Sequence, residues 1–441
     1  MNDHASPARY RVAPVARVRG AIRVPGDKSI SHRALMLGGI ADGETRVSGF
    51  LASADCLATM AAMRALGVHI ARPHDTEVIV QGAGKDGLQA SHAPLDMGNA
   101  GTAIRLSMGL LCGQRFPSTL IGDASLMQRP MERVAKPLRL MGARIDTREG
   151  RPPVLLHGGA TLRGIDYALP MASAQVKSAI LLAGLYAEGS TRVTEPAPTR
   201  DHTERMFGGF GVTVRRDGAT VELAGGQSLR GASVDVPGDF SSAAFFIVAG
   251  CLAAADGLTI KGVGVNPTRT GLIDMLRLMG AHIEVSPRAA AGPEPLADIT
   301  VRASTLRGAV IPPELVPLAI DELPILFIAA ACAEGETRVT GAGELRVKES
   351  DRLAAMAEGL AAVGVQCELL PDGIVIQGGR LRGGRINSHG DHRIAMAFAM
   401  ASVRAAEPIE IDDVANVATS FPDFPATARA VGLALAELPT P

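Results

Sequence analysis

One short phrase recurs along this chain, and its spacing limits what the chain can fold into. MRALGVHI ends at Ile70, LRLMGARI at Ile145, FGGFGVTV at Val214, LRLMGAHI at Ile283 and LAAVGVQC at Cys367, with a weaker copy, ARAVGLAL, ending at Leu435. Each copy reads as the end of an amphipathic helix, a glycine that stops it, and the start of a strand. The stopping glycines, Gly67, Gly142, Gly211, Gly280, Gly364 and Gly432, stand 68 to 84 residues apart. A second phrase appears at Ala41 (ADGETRVSGF), Ala187 (AEGSTRVTEP) and Ala333 (AEGETRVTGA), a helix stop followed by a Thr/Arg/Val strand. A third series opens the most apolar helical stretches, at Asp27, Asn99, Ser173, Asp239, Asp321 and Asp391. Asp, Asn and Ser are N-cap residues. The stretches they open are apolar nearly all round, so those helices are expected to be buried.

The repeating unit is a buried helix, a strand, a surface helix and a β-hairpin. An open solenoid is the simple alternative, but solenoid repeats usually run about 20 to 50 residues. These are longer, and each helix start carries different chemistry. Six units in two closed α/β domains of three are therefore expected. The first domain is placed at 25–236 and the second at 15–24 plus 237–441, with 1–14 as a flexible tail. The strand expected near 15–24 would complete the last unit of the second domain, so the chain would cross between domains twice.

Composition narrows the function. The 441 residues are 47% hydrophobic, enough for two cores. No apolar run reaches the roughly 20 residues of a membrane span, and no secretory leader pattern opens the chain, so a cytoplasmic, membrane-free protein is expected. The five cysteines lie far apart with no CxxC or Cys/His cluster, which points to buried reduced thiols and no metal. A net charge of −1, no Trp and 3% aromatics argue against nucleic acid. Lysine is scarce; Lys28, Lys85, Lys136, Lys177, Lys261 and Lys348 are all there are. A near-neutral chain that gathers its cations in a few places suggests a small anionic ligand.

Repeats preserve direction, so three parallel buried helices would bring their N-termini to one face of each domain. A helix N-terminus carries partial positive charge and free N–H donors. Two such faces turned together would make an anion trap. Asp239 is expected to be a cap alone, and Asp27 partly so. Cations are unfavourable at a helix N-terminus, so Lys28, Arg33 and Arg393 break the local rule, as functional residues do.

The motifs at these starts are GDKSISHR (Gly26 to Arg33), GNAGTAIR (Gly98 to Arg105), the Arg129–Pro130 pair of MQRP, SAQVKSA (from Ser173), TRDHTERM (with Arg200), DELP (from Asp321), RVKESDRL (with Lys348, Glu349 and Arg352) and DHRIAMA (with His392 and Arg393). GDKSISHR lacks the P-loop spacing, which argues against nucleotide hydrolysis. Gly101 would let backbone approach a phosphate closely. Asp321 is read as a cap or, more favoured, a buried base; Glu349 and Arg352 could be a plain surface ion pair, and His392 a satisfied surface histidine.

Together and in this order, over about residues 15–435, these motifs resemble the EPSP synthase family. The resemblance implies two similar domains of three βαβαββ repeats, an inverse α/β barrel arrangement with pseudo-sixfold symmetry. It implies transfer of the enolpyruvyl group of phosphoenolpyruvate to shikimate 3-phosphate, with release of phosphate, by a monomer without metal or organic cofactor. It implies shikimate 3-phosphate contacts at Lys28, Ser29, Arg33, Ser173, Ala174, Gln175, Arg200, Asp321 and Lys348. Phosphoenolpyruvate contacts follow at Lys28, Gly101, Arg129, Gln175, Arg352 and Arg393, and proton transfer at Asp321 and Glu349, with Lys28 a further catalytic residue. Many members have Lys where Ser420 stands in TSFPDF and Pro where Leu106 stands; both features resemble the class II branch. Glyphosate inhibits this family at the phosphoenolpyruvate site, and tolerant class II members commonly have Ala where Gly101 stands. The alternatives are a UDP-N-acetylglucosamine enolpyruvyl transferase, whose reactive loop cysteine has no counterpart in DASLMQRP, and a non-catalytic anion-binding repeat protein.

Overall fold

The structure, a computed structural model, describes residues 9–290 and 292–439. It divides into two units. One takes the residues through Pro25, then Pro237–Ala289 and the residues from Pro295 onward; the other takes Gly26–Val236 with Ala290–Glu294.

In the Gly26–Val236 unit the buried helices are Lys28–Gly39, Gly101–Leu111 and Ala174–Gly184. Each is followed by a strand, Ala41–Ser48, Ser118–Ile121 and Ser190–Thr194. Surface helices follow at Ala54–Ala65, Glu132–Leu140 and His202–Gly209. A hairpin then closes each repeat by pairing antiparallel with its first strand, as Glu77–Ala83 does with Ala41–Ser48. The other unit repeats the plan around the buried helices Phe240–Ala253, Leu323–Ala331 and His392–Ala401. Every residue of these last three helices is buried, as expected of helices with no polar face. The six glycines of the recurring phrase all have positive φ, from 83 to 105°, the left-handed conformation that ends a helix without a Cβ penalty.

The repeats are joined by strands that the repeating phrase does not reveal. Leu95–Asp96, at the end of the first repeat, pairs in parallel with Ser118–Ile121 of the second. Asp166–Ala168 does the same for the third. Leu229–Arg230 and Ser233–Asp235, ending the third, return to Ala41–Ser48 of the first and close the ring. The second unit closes its ring with the start of the chain. Gly20–Ile22 joins the sheet of Leu258–Gly264. Arg9–Ala13 lies between Ile409–Asp412 and Ala434–Leu438, taking the place of a hairpin strand in the last repeat.

This corrects the N-terminal expectation. Of the tail placed at 1–14, residues 1–8 lie outside the described residues, and Arg9–Ala13 is a strand. The alternation RYRVA buries Tyr10 and Val12 on one face of the sheet. It is this segment, and not 15–24, that completes the last repeat; the later segment serves the fourth. Among the cysteines, Cys56, Cys112 and Cys251 are buried, while Cys332 and Cys367 are half-buried, and all are free.

Asp27, Ser173, Asp239 and Asp391 cap their helices by side chain. Asn99 and Asp321 do not. The helix after Asn99 begins at Gly101, and that after Asp321 at Leu323, with no side-chain cap on either. Both side chains are engaged elsewhere, as described next.

Candidate active site

Within the Gly26–Val236 unit, hydrogen bonds tie together the N-terminal halves of all three buried helices. Arg33 donates through Nε to Thr203 Oγ1 at 2.7 Å and through Nη2 to Ser178 Oγ at 2.8 Å. Gln175 Nε2 donates to Thr102 Oγ1 at 3.0 Å, and its Oε1 accepts from Arg105 Nη1 at 2.6 Å. The helix starts therefore share one face, and their N–H donors and partial positive charge add there.

The cations of that face are held by carboxylates or by geometry. Lys28 opposes the helix dipole, and Asp55, on the neighbouring surface helix, offsets this with an ion pair of 2.9 Å. Arg129 Nη2 donates to Asn99 Oδ1 at 2.5 Å and to Ser125 Oγ at 3.4 Å, so Asn99 orients a guanidinium in place of capping a helix. A Cβ on Gly101 would lie 3.0 Å from Arg129 Nη1 and 3.1 Å from Arg105 Nη1. Ser173 caps its helix through Val176 N–H, leaving Ala174 and Gln175 in the first turn. Arg200 sits just before helix His202–Gly209. Burial draws the Arg33 guanidinium down to about 10, with Arg200 lowering it and Glu204 and Asp27 raising it, so it stays charged at neutral pH. His32, buried beside Lys28 and Arg33 and bonded to Thr59, falls to about 3 and is neutral.

The second unit assembles a different face from the same plan. Ser241 donates to Glu322, Arg269 Nη2 donates to Ser241 Oγ at 2.6 Å and to Asp239 Oδ1 at 3.2 Å, and Arg393 Nη1 lies 3.8 Å from Glu322 Oε1. Asp239 is thus an anchor for Arg269 as well as a cap. Asp321 carries the centre of this face. Its Oδ1 accepts from Arg352 Nη1 at 3.2 Å and lies 3.5 Å from Lys348 Nζ; its Oδ2 lies 3.9 Å from Arg393 Nη2, and its carbonyl accepts from Arg393 Nη1 at 3.0 Å.

Arg352 is the hub. It is fully buried and donates to Glu349 Oε2 at 2.6 Å and to Asp391 Oδ2 at 2.8 Å. Burial opposes its charge, but Asp391, Glu349 and Asp321 outweigh burial and raise it above the ordinary arginine value. The Glu349–Arg352 pair expected at i,i+3 exists, but on a buried arginine and not at the surface. His392 is likewise buried, which removes the alternative of a satisfied surface histidine. Ser420 is buried, and its Oγ has no hydrogen-bond partner among the described residues. Leu106 is core, inside a buried helix.

The expected site residues thus fall into two groups. Lys28, Ser29, Arg33, Gly101, Arg129, Ser173, Ala174, Gln175 and Arg200 belong to one unit; Asp321, Lys348, Glu349, Arg352 and Arg393 belong to the other. Sequence reasoning missed Asp55, Arg105, Arg269 and Glu322, which orient them. Arg105 closes GNAGTAIR and Arg269 lies in NPTRTG; a cation inside an otherwise apolar or small-residue motif was the available signal.

The sequence profile described as EPSP synthase (3-phosphoshikimate 1-carboxyvinyltransferase) matches residues 12–427. A 3-phosphoshikimate 1-carboxyvinyltransferase of Alkalilimnicola ehrlichii is 60% identical over 428 residues, 97% of this chain and 96% of that protein. One of Methylococcus capsulatus is 58% identical over 98% of this chain and 99% of that protein. Among solved structures, an EPSP synthase from Acinetobacter baumannii superposes with a TM-score of 0.87 at 53% identity, covering 97% of this chain and 99% of that one. The enolpyruvyl transferase NikO from Streptomyces tendae shares the fold, with a TM-score of 0.80 at 17% identity over 99% of this chain and 100% of that one. A ring of three repeats built twice, a helix-start face rich in cations, a carboxylate set among Lys348, Arg352 and Arg393, and a match across almost the whole chain lead to one assignment: the chain belongs to the EPSP synthase family.

Proposed function

We infer that this protein is a 3-phosphoshikimate 1-carboxyvinyltransferase: it transfers the enolpyruvyl group of phosphoenolpyruvate to the 5-hydroxyl of shikimate 3-phosphate and releases phosphate. The observation that carries the reading to chemistry is Asp321, an ion-paired carboxylate facing Lys348, Arg352 and Arg393. The transfer needs a base for a ring hydroxyl, an acid for the methylene carbon of the enol, and cations for two phosphates and two carboxylates. Asp321 takes the proton of the 5-hydroxyl as its oxygen attacks C2 of phosphoenolpyruvate. Glu349 gives a proton to C3, forming a methyl group, and takes one back as phosphate leaves. Lys28, Ser29, Arg33, Ser173, Ala174, Gln175, Arg200, Asp321 and Lys348 hold shikimate 3-phosphate. Lys28, Gly101, Arg129, Gln175, Arg352 and Arg393 hold phosphoenolpyruvate. Fixing two anions in reacting orientation supplies several kcal/mol of the rate enhancement.

The reading includes a monomer, because one chain carries the whole proposed residue set, working in the cytoplasm, where phosphoenolpyruvate is formed. The test is phosphate release from phosphoenolpyruvate with shikimate 3-phosphate, against UDP-N-acetylglucosamine in its place. Turnover with the first acceptor alone is expected; turnover with the nucleotide sugar alone would overturn the assignment.

A further inference from the structure

Lys177 is fully buried, two residues beyond Gln175 on helix Ala174–Gly184. Its Nζ lies 2.9 Å from Glu195 Oε1 and 2.7 Å from Glu204 Oε1. The ammonium is held by charge and not by well-aligned hydrogen bonds. Glu195 follows strand Ser190–Thr194, and Glu204 lies in helix His202–Gly209. The lysine thus grips both ends of the segment that carries Arg200 and Thr203, the hydroxyl partner of Arg33. Arg216 lies 3.4 Å from Glu195 Oε2.

Lys177 and Arg216 are the cations in ion-pair contact with Glu195 and Glu204 among the described residues. Buried carboxylates need partners. Glu204 already acts on Arg33, as does Arg200. A carboxylate left over in this cluster would draw on those guanidiniums, which the proposed reaction needs for its own anion. We propose that Lys177 is a positioning residue that sets affinity for shikimate 3-phosphate, by neutralising Glu195 and Glu204 so that Arg33 and Arg200 remain available to the substrate. This rests on the function proposed above.

The test uses the full chain and reads the shikimate 3-phosphate Kd by calorimetry, with both KM values and kcat from phosphate release. Lys177→Met is expected to raise that Kd and the corresponding KM at least tenfold, with kcat and the phosphoenolpyruvate KM changed less than threefold. Adding Glu204→Gln, which removes the surplus charge, is expected to bring the Kd back to within threefold of wild type; a lysine needed only for packing would not be rescued in this way. Arg216→Met creates the same charge deficit at a half-exposed residue and is expected to weaken binding at least threefold, so it carries the test if Lys177→Met does not fold. Folded variants that bind like wild type, or a double variant still tenfold weaker, would overturn the proposal. Wild-type protein that does not bind shikimate 3-phosphate would instead overturn the function on which it rests.

Discussion

A carboxylate surrounded by cations can be a structural anchor or a proton acceptor, and Asp321 is held like both. Its backbone carbonyl also anchors Arg393, so that contact does not depend on the side chain alone. Asp321→Asn keeps the shape and removes the proton acceptor, so turnover should fall at least about a hundredfold with binding largely kept. Near-normal steady-state turnover would remove Asp321 as the base. Gly101 makes a sharper claim. A methyl there would stand 3.0 Å from Arg129 and 3.1 Å from Arg105. The guanidiniums can give a few tenths of an ångström, but in doing so they narrow the room for a ligand. Glyphosate is longer than phosphoenolpyruvate, so the protein as it stands should be glyphosate-sensitive. Gly101→Ala should cost glyphosate about 1–3 kcal/mol more than it costs phosphoenolpyruvate. The inhibition constant and the phosphoenolpyruvate KM of both proteins decide it; equal losses would clear Gly101 of gating the site. Residues such as Lys28, Arg129 and Asp321 stand out as candidates in the sequence because each breaks a local rule or sits in a motif. Arg105 and Arg269 carry a local signal as well, but their partners could not be read, because these lie far away along the chain: Gln175 is 70 residues from Arg105, and Ser241 is 28 from Arg269.

At the scale of elements, helix starts and stops were legible because capping is local chemistry. The exceptions are instructive. Asn99 and Asp321 have the right residue type for a cap, yet their side chains serve Arg129 and the Arg352 cluster. Local propensity gives way where a buried or part-buried guanidinium engages the side chain. The strands that close each ring were hidden for another reason: some are only two or three residues long, too short to carry a period. Packing between the buried helices yields a prediction of its own. A Cβ on Gly109 would lie 2.1 Å from the carbonyl oxygen of Ala179, on the facing helix. Alanine ordinarily gains up to about 1 kcal/mol over glycine inside a helix. Here the obstacle is backbone, which cannot swing aside, so overpacking should win. Gly109→Ala should lose about 1–3 kcal/mol in denaturant unfolding, and a stabilised variant would refute the close approach.

At the scale of the molecule, the proposed ligands of one substrate come from both units: Lys28, Arg33 and Arg200 from one, Asp321 and Lys348 from the other. Loss of a cation from either unit should therefore weaken binding of that substrate, read as its Kd by calorimetry for Arg33→Ala and Lys348→Ala; a variant that binds like wild type would remove its residue from the set.

The strand Arg9–Ala13 has a consequence for how the protein is made. A ribosome releases the chain from its N-terminus. Residues 26–236 hold all the strands of their own ring, and that ring can close while the rest is still being translated. Arg9–Ala13 emerges before that ring, but its partners, Ile409–Asp412 and Ala434–Leu438, emerge after it. The unit begun first is therefore finished last, and Tyr10 and Val12 must stay clear of other apolar partners through nearly the whole of synthesis.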